Sequence, residues 1–373
     1  MVPADALRSA WEAHVDRHGP VSALGRPVTG AGRVSIAVDC ENGQFTVLMS
    51  FDENGLINGL RLTSGVPESW TPPPYADPAT FTEREVVIGS GPLAVPGTLT
   101  LPHGRGPGVV LLGGGGPFDR DETSGPNKPL KDLAWGLASR GVAVVRFDKV
   151  THAHHHTAPD MTREYVPHAV AAIHLLRQQR TVDRVFVLGH SMGGKVAPRV
   201  AAAEPSTAGL VLLAADAQPM HHAAVRVVRH LAAVGAIDET AVETIIRQAV
   251  LVDSPDLTPQ TPAEDLPFGF PASYWLDLRD YDPVATAAAL HTPMLILQGG
   301  RDYQVTVEDD LTRWQAGLAH RGDVTIRVHE ADNHLFFPGT GPSTPAEYES
   351  AQHVDPAVVA EVADWLAAFD KTA

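Results

Sequence analysis

Ser191 is the side chain whose surroundings best suit it to attack a carbonyl. It lies in Val185-Phe186-Val187-Leu188-Gly189-His190-Ser191-Met192-Gly193-Gly194, a G-x-S-x-G pattern between an apolar strand-like run and a helix-forming run. The chemistry needs this composition. A tight strand-to-helix turn lifts the serine hydroxyl above a sheet, and Gly189 and Gly193 leave room where a Cβ would collide with neighbouring backbone. The start of the new helix sets the Met192 N–H where a developing oxyanion would form.

A serine hydroxyl is a weak nucleophile at neutral pH, so a base must take its proton and a carboxylate must orient that base. Two downstream residues fit, in the chain order Ser, Asp, His. Asp302 ends the turn Gly299-Gly300-Arg301-Asp302, just beyond the apolar run 294–298. Open α/β sheets gather functional groups at that edge. His334, in Glu330-Ala331-Asp332-Asn333-His334-Leu335-Phe336, follows the last strand-like run. The chain has 18 histidines, so position rather than identity selects it. Asp216, ending Leu210–Asp216, has the same local setting one strand earlier and is the alternative acid. The run His152-Ala153-His154-His155-His156 is conspicuous, but it lacks clear partner ligands elsewhere and is read as a solvated loop rather than a metal centre. Met220-His221-His222 is read as surface of an insertion.

These residues need a sheet to converge on. From residue 82 strand-like and helix-like runs alternate, which indicates a mostly parallel sheet flanked by helices. Strands are expected at 85–88, 97–101, 108–112, 142–147, 184–188, 210–214, 294–298 and 324–329. Helices are expected at 127–140, 162–179, after Ser191 to about 203, 307–319 and 356–369. Residues 217–290 break the alternation with helical segments and a Pro-rich stretch, and are expected to form a cap. Their aromatics Phe268, Phe270, Tyr274, Trp275 and Tyr281 would supply either an apolar wall for substrate or ordinary cap-to-core packing.

Upstream the pattern differs. Residues 3–19 read as an amphipathic helix with Leu7, Trp11, His14 and Val15 on one face. Runs 33–40, 44–52 and 56–63 follow, with Asn42-Gly43 and Asn54-Gly55 as hairpin signals. Residues 1–65 are therefore expected to be a small α+β accessory domain. Residues 66–81, with prolines at 67, 72, 73, 74 and 78, are expected to be a semi-rigid linker, and 82–373 the main domain.

Composition narrows the partners. The 373-residue chain carries a formal net charge of −16, which argues against nucleic acid or anionic membrane, since both need clustered basic surface. There is no apolar run long enough to span a bilayer and no secretory pattern, so a cytoplasmic location is expected. Cys40 is the only cysteine, which excludes an intrachain disulfide and a Cys-based zinc site. It falls in an alternating run and is read as a strand residue.

With these motifs in hand, the chain resembles the α/β-hydrolase superfamily over residues 82–370. More narrowly it is similar to bacterial serine esterases of the dienelactone-hydrolase-related branch that carry a small N-terminal domain. The matching segments are Gly116-Pro117-Phe118-Asp119-Arg120-Asp121-Glu122, Gly125-Pro126-Asn127-Lys128-Pro129, the serine turn, Gln298-Gly299-Gly300-Arg301-Asp302 and Asn333-His334-Leu335-Phe336. The resemblance implies carboxylic-ester hydrolysis, with Ser191, Asp302 and His334 on the family's triad. It requires no cofactor, and its partner is a small-molecule ester or related acyl substrate.

One departure stands out. Such relatives usually carry a His-Gly-Ser-Gly or similar run after the third strand; here it is Gly113-Gly114-Gly115-Gly116. Backbone N–H groups make an oxyanion hole, so Gly115 or its neighbour Gly114 is expected to join Met192 in forming one. Four consecutive glycines are expected to be more mobile, and losing one oxyanion donor costs ~10²–10³ in rate.

The same triad serves thioesterases, acylaminopeptidases and biosynthetic cyclisation or elimination catalysts, which differ in pocket shape rather than in these residues. A catalytically silent binding protein is the alternative from another class. For the N-terminal domain, shielding of the site, substrate binding and homodimer formation stay open.

Overall fold

The structure is a computed structural model describing residues 4–30, 33–51, 57–64, 70–154, 157 and 159–369. The chain divides into two units, Met1–Trp70 with Tyr348–Ala351, and Thr71–Glu347 with Gln352–Ala373.

In the first unit the helix Ala4–His18 accompanies an antiparallel sheet. Strands Arg33–Cys40, Gly43–Phe51 and Ile57–Ser64 lie side by side in that order. The Cys40↔Gly43 register leaves Glu41-Asn42 as a two-residue turn, the length that hairpin sequences of this kind favour. The second Asn-Gly pair, Asn54-Gly55, lies outside the described residues. Two short strands, Val21–Leu24 and Val28–Gly30, add to the expected three by pairing with Arg33–Cys40. Four and three residues are too few to show a period-2 pattern, and Val21–Leu24 is exposed throughout. Val38, Cys40 and Phe45 form the small core, with Val47 and Leu62 packed against it.

The second unit is built on an eight-stranded sheet. Its order from one edge is Val324–His329, Met294–Gly299, Leu210–Leu213, Val182–His190, Gly106–Leu112, Ala143–Phe147, Val95–Pro102 and Phe81–Ile88. The first six are parallel; Val95–Pro102 runs against them, so both of its pairings are antiparallel. Continuous apolar runs such as Val109-Val110-Leu111-Leu112 form strands because both faces are covered. Val110, Leu112 and Val187 share a core with residues of the helices Met161–Arg177 and Met192–Ala203. Phe186, pointing the other way, meets Trp365 of the final helix Pro356–Ala368 with ring centroids 5.8 Å apart.

After Gly106–Leu112 the chain runs to one neighbouring strand, Ala143–Phe147, and then to the other, Val182–His190. That is a topological switch point, where loops diverge and leave a crevice at the carboxyl ends of the strands. Gly113–Gly116 leaves one side of it and Ser191 the other.

Between Leu210–Leu213 and Met294–Gly299 lie the helices Met220–Ala233, Glu239–Asp253, Ala272–Arg279 and Pro283–Ala289. Trp275 is fully buried, the Tyr274 hydroxyl donates to Glu164 Oε2 at 3.2 Å and the Tyr281 hydroxyl to the Lys195 carbonyl at 2.9 Å. Tyr274 and Tyr281 therefore tie the insertion to the helices of the sheet, Trp275 packs against His221 and Phe270 within it, and Phe268 is 52% exposed. No described helix is long and apolar enough to cross a membrane.

Candidate active site

Ser191 stands between the strand Val182–His190 and the helix Met192–Ala203, with φ 53° and ψ −118°. Such a conformation costs a non-glycine residue about 1–3 kcal/mol and persists only where its surroundings impose it. Here they do. The Ser191 N–H donates to Leu213 O at 2.9 Å, and its carbonyl accepts from Lys195 N at 2.9 Å. A Cβ on Gly189 would lie 2.1 Å from Gly193 O, and one on Gly193 would lie 2.3 Å from Leu112 O. The turn can be this tight only with glycine at both positions. Met192 opens the helix, so its N–H has no intrahelical acceptor.

Asp302 and His334 meet directly. His334 Nδ1 donates to Asp302 Oδ2 at 2.7 Å, with both residues buried. The other carboxylate oxygen accepts from Gln304 N at 2.7 Å and Val305 N at 3.0 Å. Gln298 Nε2 donates to Oδ2 at 3.2 Å and to Val305 O at 2.7 Å, bracing both sides of the turn. With Nδ1 engaged, Nε2 is the imidazole nitrogen left to exchange a proton. The histidine loop lies against the end of Met294–Gly299 because residue 299 has no side chain: a Cβ there would come within 2.6 Å of Asn333 O. Asn333 Oδ1 accepts from Leu335 N at 3.0 Å and Phe337 N at 3.1 Å, which shapes the loop around His334.

His190 joins this loop to the serine turn. Its Nε2 donates to the His334 carbonyl at 2.8 Å, and the two rings lie 4.8 Å apart. Its Nδ1 donates to Glu122 Oε1 and Oε2 at 2.9 and 3.0 Å. Both ring nitrogens thus face acceptors, an arrangement only the imidazolium satisfies. Burial opposes that charge, but Glu122, with the His334 carbonyl and Asp302, outweighs it and the His190 pKa is raised above the ordinary value.

Three expectations change. Gly114 is not a spare oxyanion donor, because its N–H already donates to Glu122 Oε1 at 2.8 Å. Gly115, whose Cβ position lies 3.8 Å from Met192 Cβ, is the glycine set beside the helix start. Asp216 does not serve the histidine: it binds the buried Lys195 Nζ at 2.7 Å. His221 is buried against Asp253 at 2.7 Å rather than being surface, while His222 is exposed as expected. In the histidine run, His152 Nδ1 and His154 Nε2 each lie within hydrogen-bond distance of a backbone carbonyl, Pro117 O at 3.1 Å and Ala94 O at 3.0 Å. His155 and His156 lie outside the described residues.

Glu122, His190 and Gln298 are the residues that motif reading passed over. Each stood inside a matching segment, but only their partners, 144 residues away in the case of His190 and His334, reveal their role.

Residues 128–337, over half of the chain, match the family described as serine aminopeptidase, S33. The chain is 36% identical over 336 residues to esterase EstD of Thermotoga maritima, covering 87% of this chain and 77% of that one. Among solved structures, an esterase of Pyrococcus furiosus aligns with a TM-score of 0.49 at 17% identity, covering 72% of this chain and 91% of its own. Brefeldin A esterase, a bacterial homologue of human hormone-sensitive lipase, aligns with a TM-score of 0.49 at 18% identity, covering 80% of each. Likeness that distant says nothing of substrate. The family match and the EstD relative decide the matter: the chain belongs to the serine aminopeptidase S33 family of the α/β-hydrolase fold, and is a hydrolase.

Proposed function

We propose that this hydrolase cleaves a carboxylic ester through an acyl-enzyme. Ser191 Oγ attacks the ester carbonyl while His334 Nε2 takes its proton, and Asp302 holds the imidazole tautomer and stabilises the imidazolium. The N–H groups of Met192 and Gly115 stabilise the tetrahedral oxyanion. His334 then protonates the leaving alcohol, and water released of a proton by the same imidazole cleaves the acyl-serine. The carrying observation is the 2.7 Å pairing of buried Asp302 with His334 Nδ1 beside a strained serine turn.

The choice of ester rests on the name of the EstD relative, which aligns over most of both chains. The family description favours a second reading, cleavage of an aminoacyl amide. Wild type and Ser191→Ala should be assayed on a panel of p-nitrophenyl esters, thioesters and aminoacyl anilides. Ester turnover that falls by about a million-fold in the variant supports the proposal. Preference for anilides would move the reading to the amide, and unchanged ester turnover in the variant would end it. Residues 217–290 are proposed as the cap and residues 1–65 as the accessory domain of this enzyme.

A further inference from the structure

The loop Gly113–Gly116 has no side chains of its own, yet Gly114 is held through both its N–H and its carbonyl. While the Gly114 N–H donates to Glu122, the Gly114 carbonyl accepts from Lys149 Nζ at 2.8 Å and lies 2.8 Å from the Tyr165 hydroxyl. Lys149 also donates to the Tyr165 oxygen at 2.7 Å and lies 3.4 Å from Glu164 Oε1. Its side chain is 5% exposed and that of Glu164 3%. Burial pushes the Lys149 pKa down and Glu164 opposes that fall. Glu164 is in turn held by the Thr151 hydroxyl at 2.6 Å and the Tyr274 hydroxyl at 3.2 Å.

In a trans peptide the C=O and the next N–H point in opposite directions. Anchoring the Gly114 carbonyl on Lys149 therefore turns the Gly115 N–H to the other side. A cation on the carbonyl oxygen also draws electron density through the amide and strengthens that N–H as a donor. We propose that Lys149, supported by Tyr165, is a positioning residue of the oxyanion hole, acting through the Gly114–Gly115 peptide on the charge that develops in the transition state. This rests on the acyl-enzyme reading above. It separates Lys149 from an ordinary buried ion pair, which would affect folding alone.

The test compares wild type, Lys149→Met and Tyr165→Phe on a p-nitrophenyl ester, with active sites counted by a fluorophosphonate probe. Inhibition by an alkyl trifluoromethyl ketone, whose hemiketal oxygen needs the same N–H groups, supplies a second readout. Lys149→Met should lower kcat per titrated site about 100-fold with KM within about threefold, because the interaction exists only in the transition state. Ketone affinity should fall in step. Tyr165→Phe, which keeps the ring packing, should lose about tenfold in kcat and carries the test if Lys149→Met fails to fold. Wild-type kcat and ketone affinity per titrated site, with only a lowered Tm, would overturn the assignment and leave the reaction scheme standing. Failure of wild type to take up the fluorophosphonate at Ser191 would remove both.

Discussion

Two arms reach the serine turn, and they are held in place by different means. The proposed acid–base arm is braced locally: Gln298, Gln304 and Val305, which fix the Asp302 carboxylate, all lie within four residues of it. The arm proposed to form the oxyanion hole is a bare glycine loop fixed from outside by Glu122, Lys149 and Tyr165, the last two 35 and 51 residues from Gly114. A strand-end turn needs only a short, well-chosen sequence to hold a carboxylate. A run of glycines lets the backbone approach closely but carries no group to hold itself, so rigidity must come from elsewhere in the fold.

The largest way to break this comparison is His334→Ala. Removing the base should lower kcat on an ester substrate by about a million-fold, measured against Ser191→Ala, and the double variant should be no worse than either. Equal activity of His334→Ala and wild type would detach the acid–base arm from the serine. Asp302→Asn comes next: the loop geometry survives, the imidazole tautomer is lost, and kcat should fall about 10⁴-fold. Asp216→Asn, which disturbs the pair with Lys195 and leaves the Asp302–His334 contact in place, should leave kcat within about tenfold once active sites are titrated. A collapse matching Asp302→Asn would show that the acid had been assigned to the wrong strand end.

Glu122→Gln sharpens the other side. It keeps an acceptor for the Gly114 N–H but removes the counter-charge of buried His190, so kcat should fall about 10- to 100-fold. The change should appear in kcat rather than KM, read from full saturation curves.

The smallest effect contrasts two carboxylates near the histidine loop. Asp302 has every lone pair engaged, whereas both oxygens of buried Asp332 lack a donor. Burial first, then Asp355, pushes the Asp332 pKa from an ordinary 3.8 up to about 7. The folded protein thus holds this proton more tightly than the unfolded chain. The stabilisation is complete below about pH 4 and is lost as pH rises through 7. Asp332→Asn should raise Tm by roughly 3 °C at pH 8 relative to wild type, with the gap closing at pH 4. A gap independent of pH would contradict the upward shift of the Asp332 carboxyl.

The same contrast explains what could be read from the chain alone. Strand–Ser191–helix, Asp302 and His334 are legible because each is a local pattern tied to a strand end, and the alternating runs after residue 82 announce the sheet. Val21–Leu24 and Val28–Gly30 are not, being too short for a period to register. Nor is the support of the glycine loop, since nothing near Gly113–Gly116 signals Lys149 or Tyr165. The Gly114 N–H looks free in a glycine run until its acceptor, Glu122, is placed. For His221 a helical surface position became buried once Asp253 and Trp275 packed on it.

The most direct measurement is peptide mapping by mass spectrometry after timed exposure of wild type and His334→Ala to a fluorophosphonate. A single adduct on the peptide containing Ser191, formed at least about 10⁴-fold more slowly in the variant, is the predicted result. An adduct elsewhere, or equal labelling rates in both proteins, would contradict the assignment of Ser191 as a nucleophile activated by His334.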